Sequence, residues 1–397
     1  MKLRIPYISF NHQNPYLSED AMLEKEEVVA AARDLGFDDV GFTTAEVFAS
    51  QETILTERAE RYAWAKEAGL DLLAGVNPGS VMPEARAIIV LLKNYYHGAF
   101  PPSLLGLFGR CYLDDDRLTK DGLSRQFKKF RQFLADRGIS SKSPINLPHR
   151  LAAARAGLGD FGKNCLFYAR RVALGGSWVL PLVLLVDREF PPDEPSVRIG
   201  CPDWCRNACI AACPTGALKG PAEIDPRKCI SFLTYNSNGL TPTRLREPMG
   251  MWVYGCDRCQ EVCPRNAPWL NQRLPENARV AAKADNFALT SLLQMDHSSF
   301  ETLVWPHMFY TDPRNLWRWQ MNVARAMGNS RHEMYLTILD RVFEHNENDF
   351  VKAMAAWAIG RIGGVKAGKI LARRRPFAEG TVLLEIEQAL EEAGQEI

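Results

Sequence analysis

The sequence predicts an α+β protein of three consecutive parts, and three observations support this class. Amphipathic helical segments alternate with apolar strand-like segments over the first 195 or so residues. Eight cysteines lie between residues 201 and 263, just after a proline-rich stretch. Helical patterns that recur every 31–32 residues follow them. We therefore predict one domain over residues 1–195, a metal-binding module over 196–275 and a helical domain over 276–397.

The 397-residue chain has the composition of an ordinary globular protein, with 46% apolar residues, 24% charged residues and a net charge of +1. This balance creates no global field that would favour nucleic acid or a membrane. The N-terminus lacks a long apolar segment and a twin-arginine signal, and the most apolar stretch, Trp178 to Val186, is too short to span a bilayer. We expect a cytoplasmic protein without membrane contact.

The first part contains three predicted helices and two predicted strands. An amphipathic helix over 19–35 stops before a glycine, and FDDVGFTT then predicts a strand. A second helix is predicted over 52–68, and a buried strand begins at 87–92. A further amphipathic helix is predicted over 121–137. The alternation of these elements indicates an α/β or α+β domain.

The segment from Gly157 to Gly162 has the letters of a G-x-G-x-x-G dinucleotide motif. We reject that interpretation because the segment follows the apparent helix LAAARA, whereas the motif needs a preceding strand. Its glycines could let the backbone approach a bulky ligand closely, since glycine has no Cβ. A tight turn without a ligand is the alternative.

The eight cysteines form two groups of four, and each group ends in C-x3-C-P. This is the frame of a bacterial double-cluster ferredoxin, in which the last cysteine of each run ligates the other cluster. We therefore predict two [4Fe–4S] clusters. The first set is Cys201, Cys205, Cys209 and Cys263, and the second set is Cys213, Cys229, Cys256 and Cys259.

Two other interpretations of the cysteines stay open. Zinc would favour paired C-x2-C units, of which the chain has one, and disulfides would require an exported chain. The run from Cys256 to Cys263 has the regular C-x2-C-x3-C-P spacing, whereas every interval of the first run holds three residues. Cys111 and Cys165 lie outside this frame, and we interpret them as packed thiols.

The C-terminal part carries a short repeated pattern at 326–328, 358–360 and 389–390, inside helical segments. The pattern suggests a small HEAT-like stack, in which alanine and glycine let helices approach closely. Two or three ordinary packed helices are the alternative. Residues 317–397 hold 11 Lys and Arg against 11 Asp and Glu, so this part is not basic, although residues 373–375 form a local arginine run.

With these features together, the chain resembles the epoxyqueuosine reductase family and, more distantly, the reductive dehalogenases. The matching segments follow one another along most of the chain. They are LGFDDVGF (35–42), ARAIIVLLKNYY (85–96), ARAGLGDFGKN (154–164), CIAACPTGAL (209–218), DPRKCISFLT (225–234) and YGCDRCQEVCPRN (254–266).

The resemblance implies a cobalamin-binding, nitroreductase-like α/β domain beside a double-cluster ferredoxin-like module and a HEAT-like tail. It implies two [4Fe–4S] clusters and a base-off cobalamin, with the clusters passing single electrons to the cobalt that reduces the substrate. It also places Arg110, Ser143, Ser231, Cys256 and Asp257 beside the corrin.

Two positions depart from the family pattern. Epoxyqueuosine reductases carry a proton-donating aspartate about fourteen residues before the glycine turn at Gly157. This chain has Ser143 there and no carboxylate between residues 142 and 149. Asp160 stands where the family usually carries an aromatic residue.

Other side chains could then donate the proton. Reductive dehalogenases use a tyrosine with a basic neighbour, so Tyr96 and Tyr112, near Arg110, are candidates. His149 could donate with little change in its pKa. For each of them, a packed or solvated side chain without a catalytic role is the alternative. Further candidates of the same kinds are Tyr95 and His97.

We expect a cobalamin-dependent reductase that resembles epoxyqueuosine reductase but has an altered active site. The alternatives are a true tRNA epoxyqueuosine reductase, a reductive dehalogenase-like enzyme for a small organic substrate, and an electron-transfer or corrinoid-reducing iron–sulfur protein. The balanced tail weighs against RNA, because phosphate contacts need clustered Lys and Arg. Expected partners are a small-molecule or tRNA substrate and an external low-potential donor of the ferredoxin or flavodoxin type. We expect a monomer.

Overall fold

A computed structural model describes residues 23–67, 69, 71–114, 122–308 and 310–395. The described helices and the antiparallel sheet confirm the predicted mixed helix-and-strand class. Residues 19–22 of the first predicted helix, and residue 121 of a later one, lie outside the described residues.

In its described residues, the N-terminal part holds six strands and six α-helices. The strands are β1 Asp39–Thr44, β2 Ala87–Asn94, β3 Ser141–Lys142, β4 Gly159–Phe161, β5 Phe167–Ala169 and β6 Val179–Val186. The helices are α1 Lys25–Asp34, α2 Ala49–Glu57, α3 Ala63–Glu67, α4 Pro78–Val81, α5 Gly122–Ala135 and α6 His149–Arg155.

Four of these strands form one sheet in the order β1-β2-β6-β3, and each neighbouring pair is antiparallel. The six residues 87–92 of β2 are all buried, because both faces of the sheet are covered. Ile88, Val90 and Leu92 face a core that includes α6, while Ile89 faces the core against α5. A continuous apolar run is the pattern expected of such a doubly covered strand.

The predicted helix over 52–68 differs from the structure. The chain forms α2 from Ala49 to Glu57, then a 3-10 turn at Glu60–Tyr62, and then the short helix α3. No residue of α2 is buried. Tertiary packing therefore does not support one long helix, and packing provides most of the stability of helices in proteins.

The middle part consists of short elements around the cysteines. They are α7 Ala208–Ala211, β7 Leu218–Gly220, β8 Glu223–Ile224, α8 Ile230–Asn236, α9 Thr243–Arg246, α10 Arg258–Glu261 and α11 Ala267–Leu270. The hairpin β7–β8 separates the first cysteine run from Cys229, which directly precedes α8. Helices α7 and α10 pack against each other and bring the two C-x3-C-P runs together.

The C-terminal part is helical in the described residues. Its helices are α12 Ala278–Ala281, α13 Leu289–Leu293, α14 His297–Ser299, α15 Leu316–Ser330, α16 Leu336–His345, α17 Asp349–Ile362, α18 Gly364–Arg374 and α19 Gly380–Gln395. Helix α17 packs between α15 and α19. A Cβ on Gly328 would lie 2.8 Å from the Cα of Ala358, and one on Gly360 would lie 2.5 Å from the Cβ of Ala389. The repeated small residues therefore mark the closest helix contacts.

Helix α15 also supports the cysteine-rich part through a polar stripe. Arg318 donates to the carbonyl oxygens of Tyr235 and Ser237, at 3.0 and 2.6 Å, and Asn322 donates to that of Thr234 at 2.7 Å. These carbonyls lie at the C-terminal end of α8, where a helix leaves acceptors without an intrahelical partner. The stripe thereby fixes the helix that carries Ser231.

The hydrophobic cores do not follow the predicted boundary at residue 195. Phe100, Leu104 and Phe108 pack with the helices of the C-terminal part, although they precede the cysteines in sequence. The segment after β2 thus contributes to two parts of the molecule. The boundaries at 195 and 275 stay predictions.

The predicted arginine run at residues 373–375 is neutralised in the structure. Arg374 pairs with Asp340 and Glu344 at 2.7 and 2.6 Å, and Arg373 also pairs with Asp340. Arg375 pairs with Glu387 at 3.0 Å. The run therefore holds α16, α18 and α19 together and offers little free positive charge.

Candidate active site

The first cysteine set lines one small cavity. The sulfur-bearing residues on its wall are Cys201, Cys205, Cys209 and Cys263. They come from both C-x3-C-P runs, as the crossed pattern of a double-cluster ferredoxin requires. None of the ten cysteines, all of which lie in the described residues, forms a disulfide.

Local backbone conformation accommodates the irregular spacing of this run. Arg206 and Asn207 both adopt left-handed conformations, with φ of 48° and 59°. Two such residues reverse the chain between Cys205 and Cys209, so that the three-residue interval still returns to the cavity. The spacing that sets this run apart in sequence is thus compatible with four sulfurs around one cavity.

Donor groups surround these sulfurs. The backbone N–H of Lys163 donates to Cys201 Sγ at 3.2 Å, and the Lys163 ammonium lies 4.0 Å from Cys205 Sγ. The Tyr168 hydroxyl lies 3.1 Å from Cys263 Sγ. Hydrogen bonds and positive charge of this kind stabilise thiolates and the clusters that they hold.

The second cysteine set lies on the wall of a larger cavity of about 530 Å³. Its members there are Cys213, Cys229, Cys256 and Cys259. Burial raises the pKa of the Cys229, Cys256 and Cys259 thiols above their usual value. Only a strongly cationic centre would hold so many buried sulfurs as thiolates.

The two cysteine sets border cavities and do not converge on one point. Within the described residues, no three His, Cys, Asp or Glu side chains converge closely enough to hold one ion. Zinc needs four ligands at about 2.0–2.3 Å from a single point. Each set of four cysteines instead borders a cavity of its own.

The larger cavity separates the predicted site residues into two groups. It brings together Tyr112, Ser231, Cys256 and Asp257 on one wall. The cavity also exposes residues that the sequence analysis did not assign to a site, among them Arg150, Ser177 and Gln260 and both remaining cysteines, Cys111 and Cys165. The turn ARAGLGDFGKN delivers Cys165, which sits at φ of 62°; this turn is the signal that sequence reasoning could have used.

Four of the predicted residues, Tyr96, Arg110, Ser143 and His149, lie off the cavity wall. Tyr96 packs its ring 5.0 Å from that of Trp178, and the Arg110 guanidinium covers it at 4.3 Å. The two ring nitrogens of His149 lie 3.1 and 3.2 Å from the carbonyl oxygens of Pro144 and Pro181.

The surroundings of these side chains affect their ability to donate a proton to a group in the cavity. Desolvation lowers the pKa of His149 and raises that of Tyr96. Ser143 is exposed at the end of β3 and is absent from the cavity wall. His97 pairs with Asp114 at 2.8 Å, and this hydrogen bond raises the His97 pKa.

Two of the candidate tyrosines, Tyr95 and Tyr112, lie on the cavity wall. The Tyr112 ring lies 4.8 Å from that of Tyr254 and is nearly perpendicular to it. A Cβ on Gly255 would lie 2.6 Å from the Tyr112 ring, and Gly255 has φ of 76°. The glycine before Cys256 is therefore needed both for its conformation and for the room that Tyr112 occupies.

A buried hydrogen-bond network forms part of the same wall. Asp257 accepts from the backbone N–H of Arg110 at 2.7 Å and from Gln260 Nε2 at 3.1 Å. Gln260 Oε1 in turn accepts from the Tyr95 hydroxyl at 3.1 Å and from Ser177 Oγ at 2.8 Å. Burial raises the pKa of Asp257 to about 6.

Comparison with known proteins identifies the family. Residues 202–266 match the 4Fe-4S double cluster binding domain. The Staphylococcus aureus epoxyqueuosine reductase is 30% identical over 360 residues, which cover 86% of this chain and 90% of that protein. The chain belongs to the epoxyqueuosine reductase family. The Bacillus subtilis epoxyqueuosine reductase is 28% identical and covers 85% of this chain and 88% of its own length.

Solved structures of epoxyqueuosine reductases share the fold. A selenomethionine-labelled enzyme superposes with a TM-score of 0.77 at 28% identity, and the match covers 93% of this chain and 98% of that chain. A second structure, which contains an epoxyqueuosine-modified tRNA-Tyr stem loop, has a TM-score of 0.76 at 27% identity over the same shares. In a third, from Bacillus subtilis, an aspartate-bearing catalytic loop is swung out of the active site.

Membership in the epoxyqueuosine reductase family makes this protein an oxidoreductase of a cobalamin enzyme family with a double [4Fe–4S] domain. In the described part of the chain, no helix has the length and apolar character to cross a membrane.

Asp160 lies in a local environment that suits an acidic side chain. The Asp160 carboxylate lies 2.8 Å from Arg265 and 3.7 Å from Arg198. A Cβ on Gly200 would lie 2.0 Å from the same carboxylate. The acidic residue is thus accommodated by two arginines and by a glycine that leaves room for it.

Proposed function

We propose that this protein is a cobalamin-dependent reductase in which two [4Fe–4S] clusters deliver electrons to a base-off corrinoid. The observation that carries the proposal is the larger cavity, because four cysteines meet there with a mainly apolar wall that also holds a few polar side chains. The first set, ending at Cys263, would hold the cluster farther from this cavity, and the second set, which includes Cys256, would hold the nearer one.

The wall of the larger cavity suits a corrin. Apolar residues such as Val179, Leu180 and Phe232 offer a surface for a large flat macrocycle, and Ser231 offers a hydrogen-bonding group. No described residue on the wall is a histidine, which supports a corrinoid without an imidazole ligand from this wall. When bound, the corrin supplies the low-potential cobalt chemistry.

The residues of this chain would position and protonate the substrate. Tyr112, on the cavity wall, is the proposed proton donor among the predicted tyrosines and histidines. Tyr96, Arg110, Ser143 and His149 stay proposals for the site, although they lie off the wall. Burial of Tyr112 raises its pKa well above the usual value, so the hydroxyl stays protonated until a developing anion takes its proton.

We propose further that the substrate differs from that of the enzymes that act on epoxyqueuosine in tRNA. The serine at position 143 supports this, since an aliphatic hydroxyl is a far weaker acid than the carboxyl group that the resemblance leads us to expect there. The neutralised arginine run at residues 373–375 gives no added support for RNA binding.

True tRNA epoxyqueuosine reduction is the second candidate function. It is favoured by the relative that was solved with an epoxyqueuosine-modified stem loop, since that structure superposes on 93% of this chain. Reductive dehalogenation of a small organic molecule, and electron transfer to a separate corrinoid protein, are the remaining alternatives.

One experiment separates our proposal from tRNA epoxyqueuosine reduction and from electron transfer alone. The protein is purified anaerobically with and without cobalamin, and iron and the visible spectrum are measured before assays on epoxyqueuosine-containing tRNA. Two clusters with bound corrinoid and no turnover of the tRNA support our proposal. Robust turnover establishes the tRNA enzyme instead, and about eight iron atoms without corrinoid binding leave only an electron carrier.

The architecture proposed with this function has three parts: a nitroreductase-like domain over 1–195, the cluster module over 196–275 and a HEAT-like stack over 276–397. The small-residue contacts between α15, α17 and α19 support the stack. We also propose a cytoplasmic monomer that receives electrons from a ferredoxin or flavodoxin.

A further inference from the structure

Tyr168, on strand β5, contacts the first cysteine set directly. Its side chain is 1% exposed, and its hydroxyl oxygen lies 3.1 Å from Cys263 Sγ. Tyr168 lines the same small cavity as Cys201, Cys205 and Cys209. A buried hydroxyl therefore meets a sulfur that, under the proposed function, is a cluster ligand.

The surrounding hydrogen bonds fix the direction of the Tyr168 proton. Asn164 Nδ2 donates to the Tyr168 oxygen at 3.0 Å. The orientation of this amide is itself fixed, because Asn164 Oδ1 accepts from the backbone N–H of Leu166 at 3.3 Å. The tyrosine oxygen therefore acts as acceptor toward Asn164, and its own proton points to Cys263 Sγ.

The tyrosine ring has little freedom to leave this position. A Cβ on Gly162 would lie 2.4 Å from the ring, so the backbone packs directly on one edge of it. The Arg265 guanidinium covers the ring at 4.2 Å from its centroid, and Asp160 holds that arginine at 2.8 Å. The acidic residue that is unusual for the family thus anchors the arginine that covers Tyr168.

We infer that Tyr168 is a positioning residue that donates a hydrogen bond to the Cys263 thiolate and raises the reduction potential of the cluster in the small cavity. Reduction adds one electron to that cluster, taken from the external ferredoxin- or flavodoxin-type donor, which is oxidised. The added negative charge strengthens a hydrogen bond to a ligating sulfur, so the donor hydroxyl stabilises the reduced form more than the oxidised form. This inference rests on the cluster assignment of the proposed function.

The functional consequence is an order of electron transfer. With a raised potential, a cluster held by the four cysteines of the small cavity would accept an electron from the external donor more readily. Tyr168 would thus set the driving force of the first step without touching the substrate.

The test replaces Tyr168 with Phe in the full chain, which removes the hydroxyl and keeps the ring. Both clusters are loaded anaerobically, and their midpoint potentials are measured by redox titration followed by electron paramagnetic resonance. We expect the equilibrium constant for reduction of one cluster to fall about tenfold, so that its midpoint potential falls by about 59 mV. The midpoint potential of the other cluster should not change. Tyr254→Phe is the matched control, because that hydroxyl is equally buried but donates to the carbonyl of Met308 at 3.0 Å.

A second variant protects the test against a failure of assembly. A ring-fluorinated tyrosine introduced at position 168 keeps the hydroxyl and makes it a stronger donor, so the same potential should rise. If the Phe variant assembles only one cluster, the inference is tested by the fluorinated variant alone, and an unchanged potential there overturns it. Unchanged potentials in both variants, with both clusters present, overturn the inference. Iron content and corrinoid binding, measured on the same samples, test the proposed function separately.

Discussion

A buried ion pair joins the cysteine-rich part to the last helix, and its removal should destabilise the protein strongly. Arg246, at the end of α9, and Glu385, on α19, form two hydrogen bonds of 2.6 Å each. Their side chains are 2% and 9% exposed. Arg246 also donates to the carbonyl oxygen of Thr241 at 2.7 Å, and this third hydrogen bond helps to hold the guanidinium in its buried position.

Glu385→Gln removes the charge and keeps the shape of the side chain. Breaking a buried pair costs about 3–5 kcal/mol, because the remaining charge is left without compensation. Glutamine can still accept one of the two hydrogen bonds from Arg246. We therefore expect the free energy of unfolding to fall by an amount near the lower end of this range, about 3 kcal/mol. The free energy of unfolding of a typical domain is only about 5–15 kcal/mol, so the effect is large.

The assay is urea unfolding of the cluster-loaded protein, followed by circular dichroism at a helical wavelength. Glu387→Gln is the matched control on the same helix, because its partner Arg375 lies 3.0 Å away and the two side chains are 39% and 57% exposed. An exposed pair of this kind contributes about 0.2–1 kcal/mol.

Equal shifts of the urea midpoint for the two variants would refute the reasoning. The double variant Arg246→Met with Glu385→Leu provides a further check. It should recover part of the lost stability, because well-packed apolar residues avoid the desolvation of both charges.

Three further predictions follow from the site and its surroundings. Cys263→Ala should lower the iron content from about eight to about four atoms per chain, with loss of one cluster signal; loss of one zinc ion instead would contradict the cluster assignment. Gly255→Ala should prevent stable assembly of the second cluster, because Gly255 has φ of 76° and a Cβ there would lie 2.6 Å from a tyrosine ring. Gly250→Ala is the control: Gly250 has φ of 57° and no atom within 4 Å of a Cβ, so this change should lower the free energy of unfolding by only about 1–2 kcal/mol. A nuclear magnetic resonance titration should show a His97 pKa above the usual value, and Asp114→Asn should lower that pKa. The stability that this pair contributes is complete below pH about 6.5, and it is lost as the pH rises through the pKa of the histidine in the folded protein. An unchanged histidine pKa in the Asn variant would contradict this last expectation.

The sequence by itself determined the features that depend on local order along the chain. The spacing of the cysteines predicted two sets of four, and each set borders its own cavity in the structure. The apolar run of β2 predicted a buried strand, since a strand covered on both faces needs apolar residues at every position. The recurring small residues at 328 and 360 predicted close helix contacts, because only a missing side chain permits such an approach.

Tertiary structure alone decided which polar groups meet. The network from Tyr95 through Gln260 to Asp257 joins residues more than 160 positions apart, and no local pattern links them. The contact between Tyr168 and Cys263 spans 95 positions and depends on β5 packing against the cysteine-rich part. Helical and strand periodicities report which face of an element is buried, but they carry no information about the partner that covers it. For that physical reason the sequence predicted which cysteines act together, whereas the fold selected the side chains that surround them.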